Sequence, residues 1–530
     1  MKRLLLLAPL LLSSVRAAEP PDAAPGPTEL QRTLELPLEL RLPPGEAARL
    51  PEVAAEGPLV LSLEQAVLLA LRYNRALTVE QLNPLIEDTF VAIEQAAFDP
   101  TAFAELSFGR GRSDQVSTAT GQRFTVSSRD TQGEVGVRKR FATGTEVELS
   151  TDFRRSESDR APEQHAAGLG LSVTQALLQG RSREANLVDL RQAELQALVS
   201  RYQLRGFAET LVAEVERTYW DYVLSARRLA IFENSLQVAE RQLEETRQRI
   251  AVGALPEADA VAARAEVARR RQELIDAQAE HAQQRLALLR LVSVPSADGW
   301  ERPLRASSEP RAPTGGLDPV EDHVRLALRM RAELNEARLL LRRGELEVIQ
   351  TRNGLLPRLD LFIVLGKSGY ADSFGGAFRE IDGDSYDLQA GLRFEYPLGN
   401  RAADAAQRGA VLQRSQAQAS IDNLAQLVAL EVRQAYLALQ RAQAQIEASA
   451  ATRELQEAVL RTEQARFREG RSTGLLVAQA QRDLLQAQIA EVEAVVTYRQ
   501  ALTELYRLDG SLLVRRAIAA PGEQPYGLDG

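Results

Sequence analysis

The chain has no cysteine, which excludes a disulfide framework, thiolate metal ligands, cysteine catalysis and a lipidated N-terminal cysteine. Three histidines and two methionines leave little to build a zinc or copper centre, and none of His165, His281 or His323 has a ligand-spaced neighbour. Lysine occurs only at Lys2, Lys139 and Lys367, so the basic residues are almost all arginine. Long apolar runs are absent beyond the N-terminus and mean hydropathy is -0.24, which excludes a polytopic helical membrane protein. A membrane span, if present, must lie in alternating strands. No P-loop, no nucleophile elbow and no dinucleotide fingerprint occurs, and no cofactor is expected. Gly109-Arg110-Gly111 and Gly168-Leu169-Gly170 sit in strand or loop contexts without a following helix.

What is present begins with an address. Lys2 and Arg3 precede the apolar run Leu4–Leu12, and Val15-Arg16-Ala17 offers a cleavage site, so residues 1–17 are expected to be a secretory signal peptide. Losing Lys2, Arg3 and Arg16 takes the net charge from -9 to -12, which argues against nucleic acid as a partner. Residues 18–58 carry nine prolines and read as an extended linker.

The remainder says similar things twice. Ala66–Arg72 resembles His323–Arg329, and Pro100 matches Pro357, both at an offset of 257. Further on, Glu214-Val215 matches Glu431-Val432, Tyr219 matches Tyr436, and Gly253 matches Gly470, at an offset of 217. The first half therefore holds 40 extra residues, mostly between Pro100 and Gln175. Internal repeats of this kind decide the architecture. The expected organisation is a first repeat over 59–300, a linker at 301–317, a second repeat over 318–510 and a tail at 511–530.

Each repeat is expected to hold very long helices, at 182–252 and 257–292, then 402–469 and 475–508. Proline is absent from both 163–255 and 398–520, and Ala, Leu, Gln, Glu and Arg dominate. Ala208, Val212, Val215, Tyr219, Tyr222, Ala226 and Leu229 step by four and three, the seam of a coiled coil. The breaks are Val252–Pro256 and Glu469–Gly474, where Gly253 and Gly470 permit a positive φ and Pro256 suits a first turn.

Strand regions are expected at 100–175 and 357–396. Thr101–Phe108, Gly144–Ser150, Gly168–Val173, Arg358–Leu365 and Leu388–Tyr396 alternate apolar with small or polar residues. Gly111–Asp130 and Gly366–Asp384 read as polar loops. This suits a transmembrane barrel with Phe103, Phe108, Phe153, Tyr370, Phe394 and Tyr396 as girdle aromatics. A soluble hairpin domain fits the strands equally well. Too few strands are present to close a barrel from one chain, so a membrane reading requires several copies.

A signal peptide, two repeats, strand pairs and paired long helices resemble the TolC-like outer-membrane factors over roughly Leu59–Leu508. The most specific matches are Val252-Gly253 through Asp259 to Ala263-Arg264-Ala265, Glu469-Gly470 with Leu475–Ala480, and Tyr396-Pro397-Leu398-Gly399. The resemblance implies an α+β membrane protein: a homotrimer sharing one outer-membrane β-barrel, continuous with an α-helical periplasmic barrel. It implies a passive outlet for small molecules or polypeptides in a Gram-negative bacterium, in contact with outer-membrane lipid and with a periplasmic adaptor and inner-membrane pump. It places docking tips at Gly253, Pro256, Gly470 and Gly474, with aperture contacts among Glu257, Asp259, Phe467, Arg471, Leu476 and Gln479. The chain departs from the family where an acidic ring is usual, since those positions hold Leu476 and Gln479. Phe467 replaces a tyrosine and has no hydroxyl to reach Asp259. Two strands per half, twelve in a trimer, is the default; eighteen is the alternative if the extra residues form a hairpin. Outside the family, a periplasmic coiled-coil scaffold accounts for the helices but leaves the strands unused, and a periplasmic binding or enzymatic module would need a compact pocketed segment that the pattern lacks.

Overall fold

The computed structural model describes residues 58–521 except 117, 119, 160, 254, 294–299 and 312–315. The expected signal peptide, and all of the expected linker except Pro58, lie outside the described residues.

The first half opens with β1 (Leu59–Leu61), α1 (Leu63–Tyr73) and α2 (Arg75–Ala96). Ser62 and Gln65 form a reciprocal capping box at the start of α1, and the Asn74 side chain caps α2. Four strands follow: β2 (Thr101–Val116), β3 (Arg123–Arg140), β4 (Thr145–Ser158) and β5 (Ala161–Ala176). Then come α3 (Arg183–Asn186), α4 (Val188–Ala251), α5 (Glu257–Val292) and β6 (Leu304–Ala306). The second half holds α6 (Val320–Met330), α7 (Ala332–Gly354), β7 (Arg358–Ala371), the short α8 (Phe374–Glu380) and β8 (Tyr386–Glu395). It ends with α9 (Arg401–Arg468), α10 (Gly474–Leu508) and α11 (Leu512–Arg515).

Two helices dominate. α4 has 64 residues and α9 has 68, so each is about 100 Å long at ~1.5 Å per residue. α2 and α5 pack along different stretches of α4, and α7 and α10 do the same along α9. Helices this long are stable because an apolar seam is covered along its length. Ala208, Val212, Val215, Tyr219 and Tyr222 are all buried on α4, and Val428, Val432, Ala435, Leu439 and Ala442 on α9. The single helix expected over 182–252 is interrupted at Leu187. There Asn186 turns its amide to the carbonyls of Ala142 (2.9 Å) and Gly180 (2.6 Å), tying the helix start to the β3–β4 turn.

The largest core lies midway along α4. β1, at the start of the first repeat, pairs in parallel there with β6, which lies inside what was expected to be a linker. Residues 511–521 of the expected tail also belong to this layer: Leu512, Leu513 and Ile518 are buried in the same core. The Tyr219 hydroxyl donates to the Leu61 carbonyl (3.0 Å) and accepts from the Ser308 amide (3.0 Å). Tyr222 donates to the Leu304 carbonyl at 2.5 Å. Tyr219→Phe would strand two backbone groups beside a fully buried ring, so a loss of about 1–3 kcal/mol is expected. A melting temperature unchanged from wild type would remove the hydroxyl from this role.

The main sheet has six strands in the order β2-β3-β4-β5-β7-β8, every neighbouring pair antiparallel. This corrects the default of two strands per half: the first half supplies four. The additional pairing element is the β3–β4 hairpin, and part of β3 lies in the stretch expected to be the loop Gly111–Asp130. Its turn is closed by Gly144 at φ +75, where a Cβ would stand 2.1 Å from the Gly180 carbonyl oxygen. Only glycine satisfies both the dihedral and the approach.

Candidate functional site

Register assigns every strand residue to one of two faces. On one face stand Glu105, Ser107, Glu134, Gln132, Ser150, Asp152, Ser172, Gly170, Asp360, Gln389 and Arg393. On the other stand Ala104, Leu106, Phe108, Val135, Val137, Val147, Leu149, Phe153, Leu169, Leu171, Leu361, Ile363, Leu365, Leu388, Leu392 and Phe394. Most of these apolar side chains are exposed; Leu106 is 58% accessible, Leu392 64% and Phe108 76%. Phe108, Phe153 and Phe394 therefore occupy the apolar face, as expected of girdle residues. Phe103 and Tyr370 lie on the polar face, a correction. Phe103 instead covers Gly136, where a Cβ would meet its ring at 2.6 Å.

The apolar window spans 102–108 on β2, 131–137 on β3, 147–153 on β4, 167–173 on β5, 359–365 on β7 and 388–394 on β8. Against the pairing register it slides two residues from β3 to β4 and four from β5 to β7, both times toward the helices. Six residues at ~3.4 Å over five steps of ~4.8 Å place the strands about 40° from the normal of the band. That is the tilt of strands in transmembrane barrels, about 35–45°. The edges β2 and β8 run antiparallel to each other and are unpaired in the single chain.

At the far end of the helices lie the two breaks. Gly253 has φ +76 and Gly470 φ +74, each closing a helix, with open space around the Cα. Pro256 is the N-cap residue of α5, and Glu257 and Asp259 lie in its first turn, favourably placed for the helix dipole. Gly474 opens α10, behind a Thr473 side chain that accepts from the Leu476 amide. Arg471 pairs with Glu469 at 3.6 Å, both exposed, so the pair adds little. Leu476 and Gln479 are exposed on α10, and Asp483 follows Gln479 by one helical turn.

The contact joining the two helix hairpins was not anticipated. The Arg249 guanidinium lies over the Phe467 ring at 5.3 Å, and Gln481 donates to Gln242 at 2.8 Å. A phenyl ring lacks the hydroxyl but keeps the π face, so an arginine serves where a carboxylate would not. Ser472 bonds Glu463 (2.8 Å), which also pairs with Arg466 (2.8 Å). Arg249, Gln242 and Gln481 carry no local signature; their only signal is a position near a break.

Among the described residues no group of three or more His, Asp or Glu side chains is placed to hold a metal, and no helix is long and apolar enough to cross a membrane. The latter says nothing of strands. The polar groups buried most deeply belong to the middle layer. There burial raises Glu209 to about 7 although Arg205 stands beside it.

Comparison with known proteins agrees with this geometry. Residues 88–293 and 324–511, most of the chain, match the model of the outer membrane efflux protein family. No curated protein matches in sequence. Among solved structures, a membrane protein of Pseudomonas aeruginosa is 23% identical, with a TM-score of 0.63 over 84% of this chain and 93% of that one. The CmeC outer membrane channel of Campylobacter jejuni is 16% identical, with a TM-score of 0.62 over 85% and 86%. The outer membrane protein VceC of Vibrio cholerae is 17% identical, with a TM-score of 0.62 over 84% and 96%. With a family match over most of its length and the same fold in these structures, the chain belongs to the outer membrane efflux protein family.

Proposed function

We propose that this efflux protein works as a passive homotrimeric duct: a β-barrel in the outer membrane of a Gram-negative bacterium, continuous with a helical barrel crossing the periplasm. The observation that carries the reading is the two-faced sheet. Its apolar face is exposed, its strands tilt by about 40°, and both edges are open, which lipid forbids. Pairing β8 of one copy with β2 of the next preserves the antiparallel alternation. Three copies then give eighteen strands instead of the twelve of the default. Barrel diameter grows roughly linearly with strand number, so the lumen at membrane level would be about 1.5 times as wide. The polar face becomes the lumen lining.

The tips at Gly253 and Gly470 are the docking end, where a periplasmic adaptor and an inner-membrane pump deliver cargo. Arg249 over Phe467 and Gln481 to Gln242 hold the two hairpins together in each chain. No bond is made or broken in transit. Detergent-extracted protein imaged by electron microscopy is expected to show three-fold particles on the order of 130 Å long, from ~100 Å of helix and ~25–30 Å of barrel. Rods released without detergent and lacking a ring would favour the periplasmic scaffold instead. Gly253→Val and Gly470→Val together should reduce export more than tenfold in a transport assay while the trimer still assembles. Loss of the trimer in that variant would count against the docking assignment.

A further inference from the structure

The edge of the apolar band away from the helices carries a row of positive charge. The first residue beyond the band, on the apolar face, is Arg110 on β2, Arg129 on β3, Arg155 on β4, His165 on β5, Lys367 on β7 and Tyr386 on β8. The matching positions at the edge near the helices are Pro100, Lys139, Thr145, Gln175, Pro357 and Tyr396. One edge thus offers four permanent cations and a histidine, the other a single lysine. The next row outward on the same face adds Arg112, Glu157 and Glu163. Arg129 pairs with Glu157 at 3.5 Å, Arg155 with Glu163 at 2.6 Å, and His165 meets Glu163 at 3.1 Å. Asp384, just before β8, belongs to this outer row as well, and the α8 segment adds Asp372, Glu380 and Asp382 against Arg379, so the excess of positive charge is confined to the row that borders the band.

A second feature lies at the same edge. α8 folds back onto the apolar face, so close that a Cβ on Gly369 would stand 2.2 Å from the Ala377 carbonyl oxygen. Its Phe374 ring meets Phe153 edge-on at 4.9 Å, and Phe374 and Phe378 are both about two-fifths exposed. Lys367 reaches the Gly383 carbonyl just behind it at 3.2 Å. Aromatic surface directed at the band and cations just beyond it form an amphipathic shelf.

We propose that this edge is a binding surface for the phosphate groups of the acylated, phosphorylated glycolipid that forms the outer leaflet. The inference rests on the barrel reading, which turns the apolar face toward lipid. Arginine forks match phosphate oxygens in pairs, and the apolar band with Phe374 and Phe378 accommodates the acyl chains. The asymmetry selects this leaflet: an anionic phospholipid bound at the periplasmic side would need the cations at the other edge.

The test uses detergent-purified oligomer of the full chain, with binding read by native mass spectrometry. The probes are bisphosphorylated lipid A, its dephosphorylated form, phosphatidylglycerol and inorganic phosphate. Bisphosphorylated lipid A is expected to bind at least tenfold more tightly than the other three. R110Q/R129Q/R155Q/K367Q should lose that preference, R110K/R129K/R155K should keep it, and K139Q should match wild type. Equal binding of the phosphorylated and dephosphorylated forms, or an unchanged preference in the four-glutamine variant, would overturn the proposal. Equal binding of phosphatidylglycerol or inorganic phosphate would overturn the assignment to the glycolipid. Chromatography before lipid addition separates the two readings: a chain that is monomeric without detergent removes the barrel, and this surface with it.

Discussion

Leu169→Arg is expected to abolish assembly of the trimer in the outer membrane. Leu169 stands near the middle of the apolar window on β5, an interior strand flanked by β4 and β7, and is 47% exposed in the single chain. An exposed leucine is ordinary by itself. Here Ala167 and Leu171 flank it on the same face of β5, and Leu149 and Phe153 lie on the same face of β4 on either side of its register partner Thr151, with Lys367 opposite on β7, so the arginine would face hydrocarbon. The cost at the bilayer midplane is about 2–4 kcal/mol per copy. In three copies that becomes roughly 6–12 kcal/mol, comparable with the whole stability of a typical domain. Ser172→Arg, three residues along on the polar face, is the control and should assemble normally, because the lumen solvates it. Heat-resistant oligomer on a gel, together with detergent partitioning, reads both variants. Two variants that assemble equally well would show that neither face meets lipid.

The second large effect concerns the middle layer. Arg205 is 1% and Glu209 4% exposed, 3.2 Å apart, and Arg205 also donates to the Gly510 carbonyl at 3.1 Å. Glu209→Ala leaves a guanidinium buried without its carboxylate, and a loss of about 3–5 kcal/mol is expected. The pair is also sensitive to pH. Burial, with Asp509 and Glu333 nearby, outweighs Arg205 and raises Glu209 from 4.5 to about 7. The folded state therefore holds a proton that the unfolded state has released between those values. Stability falls as pH rises from about 4.5 to 7 and is level above that window, a change of order 3 kcal/mol. Glu209→Gln imitates the protonated side chain and should flatten the dependence. Thermal melting of both proteins at pH 5, 6 and 8 compares them directly, and parallel curves would sink the assignment to Glu209.

Part of this architecture can be read along the chain because its causes are local. The offset of 257 that aligns Pro100 with Pro357 also separates Leu63–Tyr73 from Val320–Met330 in the structure. Gly253 and Gly470 end helices because their backbone turns left-handed, and the residue type announces that. Seam positions such as Val212 and Val432 are buried because a four-three rhythm already puts them on one stripe.

The strands were harder to count, for a physical reason. β2 and β3 continue well beyond the apolar band, through Arg110–Val116 and Arg123–Arg129. Out there β2 is polar on both faces up to Val116, and on β3 only Phe124 and Val126 alternate with Arg123, Thr125 and Ser127, too short a pattern to distinguish the strand from a loop. Face assignment failed for Phe103 and Tyr370 because an aromatic residue in a strand does not declare its side; register does. At the tips, the sequence points to Phe467 by its place near a break but not to its partner Arg249, since cation–π pairing between separate helix hairpins leaves no trace in spacing.

The sequence by itself determined the long helices, their breaks, the internal repeat and the family, since each follows from propensity or periodicity within a few turns of chain. Tertiary structure alone decided the sixfold sheet order, the pairing of Leu59–Leu61 with Leu304–Ala306, the Arg205–Glu209 burial and the cationic edge of the band. Those depend on which distant segments share a hydrogen-bond register, and register is set by packing across the whole molecule.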